Sequence, residues 1–309
     1  MSVDRNPSRT PPEQIIGESA GFPGVGKSDP ILTIDSLKKS FGGLVAVNVE
    51  HLEIPRGVIT ALIGPNGAGK TTLFNLLTGF DNADSGTAMM GTLDLSAVPA
   101  YRRAGLGQVR TFQLTKALGL LTVMDNMCLG AGEQPGEKLL PSLFPASWKR
   151  REEEIREKAL HLLDRFKLLA LKDDFAASLS GGQRKLLEMA RALMSDPSLI
   201  MLDEPMAGVN PALTESLLEH IIGLKKEGIT VVFVEHDMHM VRHVADWVVV
   251  MAQGEIISEG PPATVMDDRA VVDAYLGSHQ EIDLGVVTGR VAGDAEAAKK
   301  VLLNKLEDG

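Results

Sequence analysis

One segment of the sequence has the residue types and spacing of a phosphate-binding loop. Residues 64–71 fit the pattern G-x4-G-K-S/T. Its glycines let the backbone wrap around phosphate oxygens with N–H groups pointing inward. Lys70 would add positive charge beside the β- and γ-phosphates, and the Thr71 hydroxyl would coordinate Mg²⁺. The candidate nucleotide-binding residues are Gly64, Pro65, Asn66, Gly67, Ala68, Gly69, Lys70, Thr71 and Thr72.

The same pattern occurs a second time, at residues 21–28. No apolar strand precedes this copy, and Asp29-Pro30 follows it directly. A proline so close to Ser28 discourages the helix that a phosphate loop requires. We therefore expect this copy to be a chance match in a glycine-rich leader, with Lys27 taking no part in nucleotide binding.

A pair of carboxylates follows an apolar stretch further along the chain. Residues 199–202 indicate a buried strand, and Asp203 and Glu204 come directly after it. In nucleotide-hydrolysing folds, ligands sit at the carboxyl ends of parallel strands. Asp203 would hold Mg²⁺ through water, and Glu204 would orient and polarise the attacking water. Taken alone, the pair could also be an ordinary acidic turn before Pro205.

The elements that must hold these groups alternate along the chain. Apolar runs indicate strands at residues 31–34, 44–54, 58–63, 199–202, 230–234 and 247–251. The spacing of apolar and charged residues indicates helices at 72–78, 149–168, 183–195, 211–227 and 238–245. Strands that alternate with helices predict an α/β fold, with a mainly parallel sheet wrapped by helices.

Composition limits the classes of function. The chain has 309 residues, a formal net charge of −10 and a single cysteine, Cys128. The acidic balance argues against a nucleic-acid partner, and one cysteine fits a reducing compartment. Residues 1–20 lack the apolar core of a secretory signal, and the apolar runs are too short to span a bilayer. We expect residues 1–30 to be a disordered leader.

The segment Leu-Ser-Gly-Gly-Gln at residues 179–183 supplies a family resemblance. Small residues at a helix start can approach a γ-phosphate with backbone N–H groups and a serine hydroxyl. This segment, the phosphate loop and the acidic strand occur in the order found in ATP-binding cassette (ABC) ATPases. Over about residues 31–277 the chain resembles the ATP-binding subunit of an ABC transporter. The resemblance adds ATP contacts at Ser180, Gly181, Gly182 and Gln183.

The resemblance also identifies catalytic residues outside these motifs. Gln113, in Arg-Thr-Phe-Gln, matches the family's glutamine loop and would sense Mg²⁺ and the attacking water. His236 matches the switch histidine, which contacts the γ-phosphate. A metal cluster of His236, His239 and His243 is the alternative, but no carboxylate or cysteine set completes it.

Two more positions follow from the resemblance. Phe41 matches the aromatic residue that stacks on adenine, and a phenylalanine of the protein core is the alternative. Asn210 stands where many family members have aspartate, in the loop after the acidic strand. This departure leaves its role across a dimer interface open.

Several segments narrow the resemblance to the ATPases of branched-chain amino acid importers. They lie at residues 41–43, 71–80, 110–113, 207–211, 235–238 and 274–277. Related subunits serve urea, amide and lipopolysaccharide systems, and the ATPase does not touch the cargo, so the substrate follows by analogy alone. An exporter subunit is one alternative function. A DNA-repair ATPase would have long coiled coils between the two halves of its site, and the sequence has none. A translation factor of this kind would have two ATPase sites, and the sequence has one acceptable site.

The resemblance implies a P-loop ABC ATPase core with a small antiparallel β subdomain and a helical subdomain at about residues 114–178. Residues 278–309 would form a C-terminal extension, irregular over 278–293 and helical over 294–306. ATP and Mg²⁺ would bind between two such subunits, in a homo- or heterodimer.

The resemblance also implies partners at the cytoplasmic face of the plasma membrane, where the chain would be a peripheral subunit. Transmembrane permease subunits would contact it, and an extracytoplasmic substrate-binding protein would act through them. The docking surface would run from Gln113 through Met124 to the apolar insertion at residues 139–148. A loop that packs on itself and covers the core of the helical subdomain is the alternative for this insertion.

Overall fold

The structure, a computed structural model, describes residues 23–111, 118–132 and 145–283, with the backbone alone at 145–148, 211–212 and 277–283. The strands are β1 (Pro30–Phe41), β2 (Leu44–Pro55), β3 (Ile59–Ile63), β4 (Ser85–Met90), β5 (Leu93–Asp94), β6 (Gln108–Arg110), β7 (Leu199–Asp203), β8 (Thr230–Val234), β9 (Trp247–Ala252) and β10 (Glu255–Gly260). The helices are α1 (Lys70–Thr78), α2 (Ala100–Arg103), α3 (Val123–Cys128), α4 (Pro145–Arg165), α5 (Gly181–Leu193), α6 (Pro211–Lys226), α7 (Met238–Val244), α8 (Pro262–Met266) and α9 (Arg269–Asp283).

A six-stranded sheet forms the centre of the described part of the chain, in the order β10-β9-β3-β8-β7-β6. Its strands are parallel except β10, which pairs antiparallel with β9 at one edge. Parallel strands end at the same edge of a sheet. The carboxyl ends of β3, β7 and β8 therefore bring Ile63, Asp203 and Val234 close together, and Asp203 pairs in register with Val234.

Successive residues of the central strands face two different cores. In β3, Ile59, Ala61 and Ile63 join one cluster of buried side chains, whereas Leu62 joins the other. The same alternation holds in β7 and β8, and every residue of these three strands is buried. Burial on both faces is why these strands are mostly apolar, with Thr60, Asp203 and Thr230 as the polar exceptions.

The first core, which contains Leu62, lies between this sheet and a four-stranded antiparallel sheet, ordered β2-β1-β4-β5. Helix α1 contributes Leu73, Phe74 and Leu77 to the same cluster as buried residues of both sheets. Because α1 begins at Lys70, burying this face fixes the start of the helix at the carboxyl edge of β3.

The second core contains Ile59, Ala61 and Ile63. It joins the other face of the six-stranded sheet to helices α3, α4, α5 and α6. Their buried side chains include Leu163 of α4, Leu187 of α5 and Ile221 of α6. Met124 of α3 also belongs to this core and is 4% exposed. The expectation that Met124 lines a docking surface is therefore wrong.

The expected α/β architecture is confirmed by the mainly parallel sheet, the antiparallel sheet and the covering helices. Two local expectations are wrong. Residues 24–27 are not disordered, because they bond to side chains of β2 and β10. Residues 278–283 are not irregular, because α9 extends to Asp283. The predicted helix at 294–306 lies outside the described residues.

The compact unit that holds both sheets ends at Tyr275, within α9. Across the part of the chain that the structure describes, no helix combines the length and the apolar character needed to cross a bilayer.

Candidate functional site

The loop between β3 and α1 depends on glycine at two close approaches. Gly64 has φ +147°, and a Cβ there would lie 2.1 Å from the Met251 carbonyl oxygen. Gly69 has φ +99°, and a Cβ there would lie 2.3 Å from the Ala46 carbonyl oxygen. Any side chain at either position would force the backbone apart. Residues 64–69 thus pass close to β9 at Gly64 and close to β2 at Gly69 before the chain enters α1.

Lys70 opens α1 and folds back over the loop. Its Nζ donates hydrogen bonds to the carbonyl oxygens of Gly64, at 2.7 Å, and Pro65, at 2.9 Å. Burial lowers the pKa of the Lys70 ammonium below its ordinary value, an effect that the nearby Glu204 carboxylate partly offsets. An ammonium held only by carbonyl oxygens can exchange them for phosphate oxygens, which are stronger acceptors. Thr71, in the first turn of the same helix, is exposed.

Asp203 is the last residue of β7, and its side chain is only 8% exposed. Its Oδ2 accepts a hydrogen bond from Arg110 at 2.6 Å. The next residue, Glu204, has φ +45°, a strained conformation for a residue with a side chain. Two bonds hold it there: its N–H donates to the Val234 carbonyl at 3.1 Å, and its own carbonyl accepts from Lys185 at 3.1 Å.

His236 follows β8, next to the acidic strand. Its side chain is 67% exposed, whereas that of the preceding Glu235 is 2% exposed. Burial raises the pKa of Glu235, which accepts N–H bonds from Met206 and His236 at 3.1 and 3.3 Å. These bonds tie the start of the histidine segment to the loop after Glu204.

Ser180 caps helix α5. Its Oγ accepts the Gln183 N–H at 3.2 Å, and the Gln183 side chain accepts the Ser180 N–H at 2.9 Å, which completes a capping box. Ser180 and Gly181 are exposed at the helix start. Asn210 caps α6 in a similar way, accepting the Leu213 N–H at 2.9 Å, so asparagine serves this local purpose as aspartate would.

Phe41 ends β1, at the turn of the first hairpin, and is 50% exposed. The alternative that it is a core residue is therefore wrong. The Lys39 Nζ lies 5.2 Å from the centre of its ring. An exposed aromatic ring at this turn is available to stack on a base. Gln113 lies outside the described residues.

The second copy of the loop pattern binds an anion that belongs to the protein itself. The N–H groups of Gly24 and Val25 donate to Glu259 Oε1 at 2.8 and 3.1 Å, and Lys27 Nζ lies 2.6 Å from Glu259 Oε2. Trp247 Nε1 donates to the same carboxylate at 3.0 Å. With Lys27 only 3% exposed and Glu259 fully buried, no room is left for a phosphate.

Three residues near the phosphate loop were missed by sequence reasoning. Arg110 donates to Asp203, Lys185 donates to the backbone of Glu204, and the buried Tyr275 hydroxyl lies beside the backbone of Gly64. Burial raises the pKa of Tyr275 to about 12. Arg110 and Tyr275 lie within segments that resemble the family, and Lys185 follows the segment at residues 179–183, but no local pattern marks their contacts.

This geometry defines a class of protein. A strand, a glycine-lined loop and a helix that begins with lysine form a site for nucleotide phosphates. Two carboxylates and an exposed histidine from the neighbouring strands stand at the same edge of the sheet. Carboxylates in this place are typical of P-loop proteins that hydrolyse the nucleotide they bind.

Comparison with known proteins agrees with this class. The family model described as ABC transporter matches residues 47–207, and one described as branched-chain amino acid ATP-binding cassette transporter matches residues 255–281. The probable branched-chain amino acid transport ATP-binding protein LivG of Archaeoglobus fulgidus is 43% identical over 257 residues, 83% of this chain and 99% of the relative. The high-affinity branched-chain amino acid transport ATP-binding protein BraF of Pseudomonas aeruginosa is 38% identical over 252 residues, 81% of this chain and 99% of the relative.

Solved structures give the same result. A nucleotide-free ATP-binding cassette from an ABC transporter has a TM-score of 0.69 and 39% identity, covering 79% of this chain and 98% of its own. An ATP-binding cassette in its ADP conformation has a TM-score of 0.69 and 38% identity, covering 81% and 100%. The chain belongs to the ATP-binding cassette family of ABC transporters, whose members bind and hydrolyse ATP.

Proposed function

We propose that this chain is the ATP-hydrolysing subunit that powers an importer of branched-chain amino acids. The observation that carries the substrate class is the match of residues 255–281 to the branched-chain amino acid family model. The names of the two relatives above support it. The subunit would act at the cytoplasmic face of the plasma membrane, bound to permease subunits.

The substrate is tested on the assembled transporter. Proteoliposomes that contain this chain with the membrane subunits encoded beside its gene should take up leucine, isoleucine or valine when ATP is supplied on the side of this chain. The matched control is Glu204→Gln, which should assemble but not transport. Uptake of urea or an amide, with none of leucine, isoleucine or valine, would contradict the proposed substrate.

ATP binding begins with the exchange at Lys70. Its Nζ leaves the carbonyl oxygens of Gly64 and Pro65 and bonds to the β- and γ-phosphates, while the N–H groups of residues 66–70 surround the β-phosphate. The exposed ring of Phe41 stacks on adenine.

The donor groups present fit Mg²⁺, which prefers oxygen ligands and takes few of them from protein when phosphates are bound. The Thr71 hydroxyl would bind it directly, and the Asp203 carboxylate would bind through water. Gln113 would complete the set. When bound, the ion neutralises charge on the β- and γ-phosphates.

Glu204 is the general base for hydrolysis in this proposal. Its carboxylate orients the attacking water and accepts a proton from it, and the water oxygen attacks the γ-phosphorus in line with the departing ADP oxygen. The bonds from Lys185 and to Val234 fix the backbone of Glu204 in advance. His236, exposed beside it, donates to the γ-phosphate.

A second subunit completes each site. The exposed Ser180 and Gly181 at the start of α5 would approach the γ-phosphate bound by the partner. We expect the Glu204→Gln variant, which hydrolyses slowly, to dimerise in Mg-ATP. Light scattering that shows a monomer at saturating Mg-ATP would contradict this arrangement.

The permease would dock on the helix-rich side of the chain. Leu118, Leu120 and Phe175 are 50%, 91% and 60% exposed. They lie on two adjacent segments, because Ala176 and Ala177 donate hydrogen bonds to the carbonyls of residues 121 and 119. An exposed apolar patch of this kind is typical of a protein interface. The insertion at 139–148 remains part of the predicted surface.

Charges placed on this patch test the docking. Leu120→Asp combined with Phe175→Asp should leave the ATPase activity of the isolated subunit intact and abolish co-purification with the permease. Val272→Asp, at an exposed apolar residue of α9, is the control and should co-purify normally. Normal assembly of the double variant would contradict the docking surface.

A further inference from the structure

Arg110, the last residue of β6, links the carboxylate strand to the helix of the phosphate loop. Its Nη2 donates to Asp203 Oδ2 at 2.6 Å. Its Nη1 donates to Asn75 Oδ1 at 2.6 Å and to Thr78 Oγ1 at 3.0 Å, both on α1. The side chains of Arg110 and Asp203 are each 8% exposed. One guanidinium thus joins three elements that meet at the nucleotide site.

Two aromatic rings lie close to this guanidinium. The Arg110 Cζ lies 5.4 Å from the ring centre of Phe74 and 5.4 Å from that of Phe80. Arginine stacks well on aromatic rings and carries its donors in a rigid fork, so the ring contacts determine where each N–H points. The ring contacts and the two bonds to α1 therefore restrain the direction in which Arg110 donates to Asp203.

A buried ion pair of this kind contributes little net stability, because both charges lose their hydration. What it does supply is orientation. With Oδ2 held by Arg110, the Asp203 carboxylate cannot rotate freely about its side-chain bonds, and its other oxygen keeps a fixed direction. The other end of the guanidinium is anchored to α1, whose first turn carries Lys70 and Thr71.

We propose that Arg110 is a positioning residue for Mg²⁺: it aims the Asp203 carboxylate at the ion and keeps it in register with helix α1. The inference rests on the proposed role of Asp203 as a Mg²⁺ ligand. Partners that orient a metal ligand typically change metal affinity by about 10- to 100-fold when they are removed. The opposite effect is also physically possible, since a positive charge beside a cation site repels the cation.

The test separates Mg²⁺ binding from nucleotide binding. Affinity for a fluorescent ATP analogue is measured in EDTA, and free Mg²⁺ is then titrated at fixed nucleotide. Arg110→Met should keep its nucleotide affinity in EDTA within about twofold and need about tenfold more Mg²⁺ for half-saturation. Arg110→Lys keeps the charge but loses the fork, and should need an intermediate concentration.

Arg103→Met is the matched control. Arg103 is also buried beside α1 and donates to the carbonyl oxygens of Leu77, Leu95 and Val98, but the structure gives it no bond to a carboxylate. Its substitution should lower the melting temperature and leave the Mg²⁺ requirement unchanged. If Arg110→Met fails to fold, Arg110→Lys decides the question by the same titration.

Asp203→Asn separates this inference from the proposed function. If it raises the Mg²⁺ requirement while both Arg110 variants leave it unchanged or lower it, the proposed function stands and the positioning role is wrong. If Asp203→Asn itself leaves the Mg²⁺ requirement unchanged, Asp203 is not a Mg²⁺ ligand. The proposed role of Asp203 and the positioning role of Arg110 are then both wrong.

Discussion

Residues 21–28 and 64–71 match the same sequence pattern, yet their lysines lie in opposite surroundings. Lys70 begins a helix, and its ammonium rests on two carbonyl oxygens that a phosphate can replace. Lys27 lies in a segment without helix or strand, with its ammonium against a buried carboxylate of the same chain. Both segments combine a glycine-rich turn with a lysine, but residues 21–28 close over an anion of the protein itself.

The comparison shows what the pattern itself encodes. A glycine-rich turn followed by lysine favours an oxyanion in either setting. The elements around the turn determine which oxyanion it can contact. Residues 64–69 lie between a buried strand and a helix at the sheet edge. Residues 21–28 instead contact Glu259 of β10. Four experiments, in order of decreasing expected effect, test these two segments and the nucleotide site that includes residues 64–71.

The largest expected effect is on hydrolysis. Lys70→Ala should lower the rate of ATP hydrolysis by about 10²- to 10³-fold and weaken nucleotide binding, because it removes a donor aimed at the charge of the transferred phosphate. A phosphate-release assay measures the rate. Lys27→Ala in the same assay should retain most of its activity, and a comparable loss there would break the contrast between the loops.

The second effect is on stability and runs the other way. Lys27→Met should lower the free energy of unfolding by about 3 kcal/mol, because it leaves the Glu259 carboxylate buried without a counter-charge. Three N–H groups still donate to that carboxylate, which holds the cost to this level. Urea unfolding followed by tryptophan fluorescence measures it. Lys27→Met with Glu259→Gln should recover part of the loss, and no recovery would argue against the ion pair as the cause.

A smaller effect concerns the base of the nucleotide. Phe41→Ala should weaken ATP binding by about 1–3 kcal/mol if adenine stacks on its exposed ring. Binding of ADP and of pyrophosphate should be compared by calorimetry. The loss is expected for ADP alone, since pyrophosphate has no base. Equal losses for both ligands would place the effect of Phe41 elsewhere.

The smallest effect is at the start of the second copy. Gly24 has φ +79°, so Gly24→Ala should cost about 1–2 kcal/mol of stability through backbone strain. Its new Cβ would lie no closer than 3.6 Å to His51, so no clash adds to this cost. Nucleotide binding should not change. Gly64→Ala is the counterpart and should abolish binding, because its Cβ meets the Met251 carbonyl.

Local pattern was enough to predict the strand that precedes residues 64–69, the helix that follows them, the carboxylates at the end of β7 and the type of fold. Each depends on residues that are adjacent in sequence, and strands buried on both faces are marked by mostly apolar runs. The exposure of Phe41 could not be obtained this way, because it depends on how the first hairpin packs. The conformation of Glu204 could not be predicted from local pattern either, because the hydrogen bonds that hold its backbone involve Lys185 and Val234.

The pairing of Arg110 with Asp203 shows the limit most clearly. The two residues are 93 positions apart, and they meet only because β6 and β7 become neighbours in the sheet. The order of the strands follows from long-range contacts that no motif records. The same holds for Lys27 and Glu259, which are 232 positions apart and turned an expected disordered segment into an ordered one.

The bond between the chain's beginning and β10 affects where the protein can be shortened. A fragment chosen from the family match would start near residue 47, and one chosen from the first strand would start at Pro30. Either cut removes three of the four donors to Glu259 and leaves Trp247 alone beside a buried carboxylate. Fragments intended for expression or crystallisation should therefore begin before Pro23.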